Sequence, residues 1–173
     1  MRRHSGFTIL EIIVVLLLMT ILAATVLGRS ALPAKDKLDL SSATEKLRLQ
    51  LRYAQAQSMK RSDTVWGIKC SDNQYWLFRG LNPDDANSQI RIPGADYTTN
   101  DNKVRPGDQG ITVGSFTVFF ERRIGKPYRA YVSYTTPSSN TEWGQNNTPT
   151  SFTLTGGGET RTIDISPETG LVQ

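Results

Sequence analysis

Histidine and cysteine are nearly missing from this chain of 173 residues, with His4 and Cys70 the single examples of each. One cysteine excludes an intramolecular disulfide. Free cysteine usually behaves as a small buried hydrophobe, so Cys70 reads as a strand residue facing a core. Any site built from residues beyond His4 has no imidazole of its own, leaving mainly carboxylates and hydroxyls. No Gly-x-Ser-x-Gly nucleophile motif occurs. Gly156-Gly157-Gly158 is followed neither by Lys-Ser/Thr nor by a helical pattern, and reads as a hairpin turn rather than a phosphate loop. Asp84, Asp85, Asp96, Asp101 and Asp108 lack EF-hand spacing and read as solvated loop charges, so neither a metal nor a cofactor is expected. Neither sign of charge dominates: 20 basic against 16 acidic side chains leave a formal balance of +4, which gives little support to nucleic-acid binding.

What is abundant is concentrated near the start. From Phe7 to Leu27 fifteen residues are Ile, Leu, Val, Met or Phe, and Glu11 is the one charged side chain. At about 1.5 Å per residue such a helix covers roughly the 30 Å hydrocarbon core of a bilayer. Each large apolar residue contributes about −0.3 to −0.6 kcal/mol to insertion, whereas a mid-helix acid costs roughly 2.5 to 3.5 kcal/mol. Insertion therefore survives Glu11, but the carboxylate needs a reason. A secretory signal peptide accounts for Arg2 and Arg3 ahead of an apolar run, yet not for a broken apolar core or for the absence of an Ala-x-Ala site. A plain anchor explains neither Gly6-Phe7-Thr8 nor the glutamate.

The short basic leader followed by Gly6-Phe7-Thr8-Ile9-Leu10-Glu11-Ile12-Ile13-Val14-Val15 resembles the class III signal of type IV pilins and type II secretion pseudopilins. The resemblance implies cleavage between Gly6 and Phe7 by a prepilin peptidase on the cytoplasmic side, N-methylation of Phe7, and Glu11 as the fifth residue of the mature chain. It also gives the carboxylate a role, since in stacked parallel helices the glutamate of one subunit meets the new N-terminal ammonium of another. Such a pair attracts strongly in low dielectric and costs several kcal/mol when broken, so it specifies register. Removing the leader leaves 18 basic against 16 acidic side chains. Positive charge flanks both ends of the apolar run, so orientation follows the resemblance: leader in the cytoplasm, C-terminal module in the periplasm.

Beyond Leu27, Gly28 and Pro33 predict a bend or local melting between Gly28 and Asp36. A helical stripe then recurs at Leu40, Ala43, Leu47, Leu51, Ala54 and Ser58, with Lys46, Arg48, Arg52 and Gln55 opposite, and carries the helix to about Arg61. Ser42-Ala43-Thr44-Glu45 has the form of a capping box, or lies inside one continuous helix. From Ser62 the period changes to that of strands. Val65–Cys70 and Gln74–Arg79 read as a hairpin, and Leu81–Gly110 as loop with one short strand near Ile90-Arg91-Ile92. Ile111–Val113, Phe116–Glu121 and Arg129–Thr135 read as strands, with a Gly125-Lys126-Pro127 turn between the last two. Thr136–Thr150 reads as loop, and Ser151–Thr155 with Thr160–Ser166 as a closing hairpin. The expected fold is α+β: a long N-terminal helix, apolar in its first half and amphipathic in its second, packed on antiparallel β-sheets.

Phe119-Phe120-Glu121-Arg122-Arg123-Ile124-Gly125-Lys126-Pro127, the glycine-turn hairpin and Thr162-Ile163-Asp164-Ile165-Ser166-Pro167-Glu168-Thr169-Gly170-Leu171-Val172 resemble the C-terminal half of the GspH/FimT family, whose members are minor pseudopilins and related minor type IV pilins. Two departures stand out: Pro33 lies further from the cut than in many major pilins, and the C-terminal cysteine pair of many pilins is absent. The resemblance divides the chain into a leader (1–6), a transmembrane and assembly helix (7–28), an amphipathic helix (29–61) and a periplasmic β-rich module (62–173).

The aromatic residues Trp66, Trp76, Phe78, Phe116, Phe119, Tyr131 and Tyr134 sit in strand runs and read as core. Arg122, Arg123, Lys126 and Arg129 form the best basic cluster, a solvated strand end or a nucleic-acid contact. Asn146-Asn147-Thr148 matches a glycosylation sequon but reads as polar loop. Taken together, the resemblance implies a non-enzymatic minor pseudopilin at or near the tip of a periplasmic pseudopilus. Its partners would be the prepilin peptidase, major and minor pseudopilins through the N-terminal helix, the inner-membrane assembly platform and exported cargo. A minor type IV pilin binding DNA and a tethered periplasmic enzyme are the competing readings.

Overall fold

The computed structural model describes residues 9–61, 63–144 and 150–173, with the backbone alone at 25–35. Gly6 and Phe7, expected to flank the cut, and the sequon at Asn146 lie outside the described residues. The chain divides into two units, Met1–Asp36 and Lys37–Gln173. A single helix, α1 (Ile9–Lys60), contributes to both. The local melting expected between Gly28 and Asp36 does not occur, for the helix assignment is unbroken there. Proline removes one N–H from a helical ladder, and the many remaining bonds of so long a helix absorb that loss. For the same reason Ser42–Glu45 is helix interior and not a capping box.

In the second unit the α1 stripe is buried as the spacing predicts. Leu40, Leu47, Leu51, Ala54 and Ser58 are fully covered, and Ala43 is half-buried. They pack on two antiparallel sheets. The larger has order β3-β2-β1-β5-β6, formed by β1 (Trp66–Ser71), β2 (Gln74–Arg79), β3 (Gln89–Ile90), β5 (Phe116–Phe120) and β6 (Pro127–Tyr128). The smaller has order β10-β9-β4, formed by β4 (Thr112–Val113), β9 (Ser151–Gly156) and β10 (Glu159–Asp164). Ile68, Leu77, Val118 and Phe120 from one sheet and Phe152, Leu154 and Ile163 from the other share a core with the helix. Trp76, Phe78 and Phe119 form a second cluster with Val65. Gly67 makes that second cluster close: it faces Phe78 and Phe119 on neighbouring strands, and a Cβ there would meet the Phe78 ring at 2.5 Å.

The β1–β2 and β9–β10 hairpins match expectation, the latter turning at Gly157-Gly158 with both residues at positive φ. Elsewhere the strands are shorter than their composition suggests. Of the predicted Arg129–Thr135 strand only β7 (Tyr131–Ser133) forms, while β6 takes Pro127 from the expected turn together with Tyr128. The predicted loop Thr136–Thr150 supplies β8 (Thr136–Pro137), paired with β7, and buries Trp143 almost completely. The short strand near Ile90 is Gln89–Ile90, and Pro106–Gln109 forms a 3-10 turn within the expected loop. Tyr134 is about half exposed rather than core, because it lies in the turn between β7 and β8.

Candidate functional site

The side chains of Ile9 to Ala24 are exposed on every face of α1, and Glu11, in its first turn, is the one ionisable group among them. A carboxylate in that position is favoured by the helix dipole. Thr20, the other polar residue of this stretch, returns its hydroxyl to the Leu17 carbonyl at 2.8 Å, so it asks nothing of a partner. A helix that is apolar all round is stable only inside a larger protein assembly or a membrane. Glu11 shares a shallow groove with Ile12, Val15 and Leu16, spaced so that the carboxylate and three aliphatic side chains occupy one helix face. That face can hold a partner's apolar helix while aiming an acid at one point along it. Among the described residues no helix is long and apolar enough to cross a membrane. The segment read as transmembrane, residues 7–28, extends beyond the described side chains at both ends.

At the other end of α1 the polar side chains grip loops. Arg52 donates to the Val172 carbonyl through Nε at 3.2 Å and Nη2 at 2.8 Å. Gln55 Nε2 donates to the carbonyls of Gly125 and Thr169, and buried Ser58 to that of Phe120. Arg52 and Gln55 thus do not form a purely solvated face. Their role escapes sequence reasoning because the partners lie 70 to 120 residues away.

The expected basic cluster is divided in its environment. Arg123 and Arg129 are exposed, whereas Arg122 is half-buried and already engaged. Lys126 is half-buried between Glu142 at 2.9 Å and Glu168 at 3.7 Å. The Glu142 hydrogen bond raises the Lys126 pKa, fixing a cation that is already neutralised. The loop aspartates are similarly occupied: Asp84 pairs with Lys69, Asp96 with Lys46 and Asp101 with Arg105. Among the described residues no group of three acidic, His or Cys side chains is placed to hold a metal. A cleft between α1 and the loop before β4, lined by Ala43, Gln50, Tyr75 and Val104, brings Asp96 and Asp108 to its wall together with Lys46 and Arg105.

Two family models match the chain. The prokaryotic N-terminal methylation motif covers residues 1–27, and the type II transport protein GspH covers residues 43–170. No curated protein and no solved structure matches.

Proposed function

Because the chain belongs to the GspH family of type II transport proteins and carries its methylation motif, we propose that it is a minor pseudopilin mounted at or near the tip of a periplasmic pseudopilus. Pseudopilins of this kind are structural components of the cell envelope's type II secretion machinery, processed by a prepilin peptidase and assembled with other pseudopilins. The observation that supports the finer reading is that Glu11 is the one charged side chain in an exposed, otherwise apolar stretch from Ile9 to Ala24.

In this reading Gly6 and Phe7 flank the cut, Phe7 is methylated, and residues 7–28 hold the subunit in the inner membrane before assembly. In the fibre the Glu11 carboxylate meets the N-terminal ammonium of a neighbour. Apolar packing supplies affinity without preferring a register, because one aliphatic turn resembles the next. A buried charge pair supplies the preference, since a one-turn slip leaves both charges without their counterpart. The β-rich module stays in the periplasm to meet other minor subunits, the assembly platform or cargo. Export ranks ahead of nucleic-acid uptake because Lys126, the centre of the basic cluster, is already paired with Glu142 and Glu168.

The test is Glu11→Leu expressed in place of the native chain. Membrane association should be retained while secretion of the machine's substrates fails; normal secretion would defeat the proposal.

A further inference from the structure

Strand β10 is the edge of the smaller sheet, and among the described residues the tail covers one end of that edge. Asp164 exchanges both backbone hydrogen bonds with Gln173, at 3.2 and 2.9 Å, and Ile165 bridges Val172. The tail residues therefore begin a new antiparallel strand alongside β10. In an antiparallel ladder the backbone groups of alternate residues point the same way. Since Asp164 points its N–H and C=O outward, Thr162 and Thr160 do so too. Among the described residues neither has a backbone partner on that side, and Thr160, Arg161 and Thr162 are exposed.

The side chains along this edge are asymmetric in charge. By register Glu159, Arg161 and Ile163 lie opposite Gly156, Leu154 and Phe152, on the face that becomes core toward Ile163. Glu159 is taken by Lys37 at 2.5 Å, which lowers its pKa. Arg161 on the same face also helps lower the Glu159 pKa, but forms no salt bridge among the described residues and stays exposed. An exposed cation on the inward face discourages indiscriminate edge pairing. It selects a strand that brings an acid to the same spot.

We propose that the open edge of β10 receives an extended acidic segment of a partner protein, which continues the strand that residues 171–173 begin and places a carboxylate opposite Arg161. Main-chain bonds to Thr160 and Thr162 supply affinity and the acid supplies selectivity, as in other strand-addition complexes. The inference is independent of Glu11 and stands whether or not the fibre-tip reading holds.

The probe is a short fluorescein-labelled peptide of alternating valine and threonine with one central glutamate, added to the full-length chain in detergent micelles. Fluorescence anisotropy should report binding, and amide exchange should slow at Thr160 and Thr162. A counterpart with lysine at the centre should bind about tenfold more weakly, and Arg161→Glu should reverse that preference. Thr162→Pro removes an outward N–H without breaking the β9–β10 ladder and should abolish binding; Thr160→Pro does the same should the first variant fail to fold. Absence of binding by the acidic peptide overturns the proposal, as does binding that leaves both amides exchanging freely or is indifferent to Arg161→Glu. Concentration-dependent self-association that protects the same amides without peptide also overturns it, by assigning the edge to a second copy of this chain.

Discussion

Gly170 lies so close to Gly125 that a Cβ at position 170 would sit 2.0 Å from the Gly125 carbonyl oxygen. Its φ of 68° is also one that side-chain-bearing residues adopt at a cost. The same carbonyl accepts from Gln55, so the clash cannot be relieved without disturbing α1's hold on the loop. Gly170→Ala should destabilise the module by about 2 to 4 kcal/mol, read as a lower urea midpoint. An unchanged midpoint would mean that the closing segment does not adopt this conformation.

Leu51 and Leu49 lie two residues apart on α1, one fully buried and the other 60% exposed. Leu51→Ala should cost about 2 to 5 kcal/mol, because the cavity beneath the two sheets cannot collapse fully. Leu49→Ala should stay within about 0.5 kcal/mol of the native chain. Equal costs in the same denaturation experiment would contradict the packing of α1 described above.

Asp101 offers a pH-dependent signal. Its carboxyl is held well below the usual carboxylate range, first by hydrogen bonding to Arg105 and then by the Thr99 hydroxyl and the Lys103 N–H. A depressed folded-state pKa means that this contribution is complete above the ordinary carboxylate value of about 4 and is lost as the pH falls through the folded value. Backbone resonances of Lys103 should therefore titrate with a midpoint below about 4, and Asp101→Asn should abolish that transition. The pair is solvent-accessible, so added salt should move the midpoint back toward the ordinary value.

If processing follows the proposed course, protein extracted from membranes should have a mass lacking residues 1–6 and carrying one methyl group on Phe7. Retention of Met1 to Gly6 in cells with an active peptidase would remove the ammonium that Glu11 is proposed to meet.

The parts of the fold legible in the sequence are those fixed by near neighbours. The α1 stripe from Leu40 to Ser58 follows helical spacing, and the β1–β2 hairpin turns on Asp72 and Asn73, both at positive φ. Glu11 stands out in the sequence as the one charged residue between Phe7 and Leu27. Strands β6 to β8 were not legible as drawn, since two- and three-residue segments gain their order from distant pairing rather than composition. Trp143 did leave a signal that could have been used: an indole amid Ser, Thr and Asn has reason to be buried. Lys126 illustrates a different limit, because its basic neighbours are adjacent in sequence while its neutralising acids, Glu142 and Glu168, come from two other loops. Asn73 is similar, its amide bonding the Ile111 carbonyl and the Val113 N–H.

Cys70 is 2% exposed, and burial, aided by Asp72, pushes its thiol up to about 12. Only the thiolate reacts with alkylating dyes and spin labels, so the native chain should pass through such chemistry unmarked. A single cysteine introduced beside Glu11 or along the β10 edge would then be the sole attachment point. Spacing between copies, or between a copy and a bound strand, becomes measurable by paired labels without first engineering the resident sulfur away.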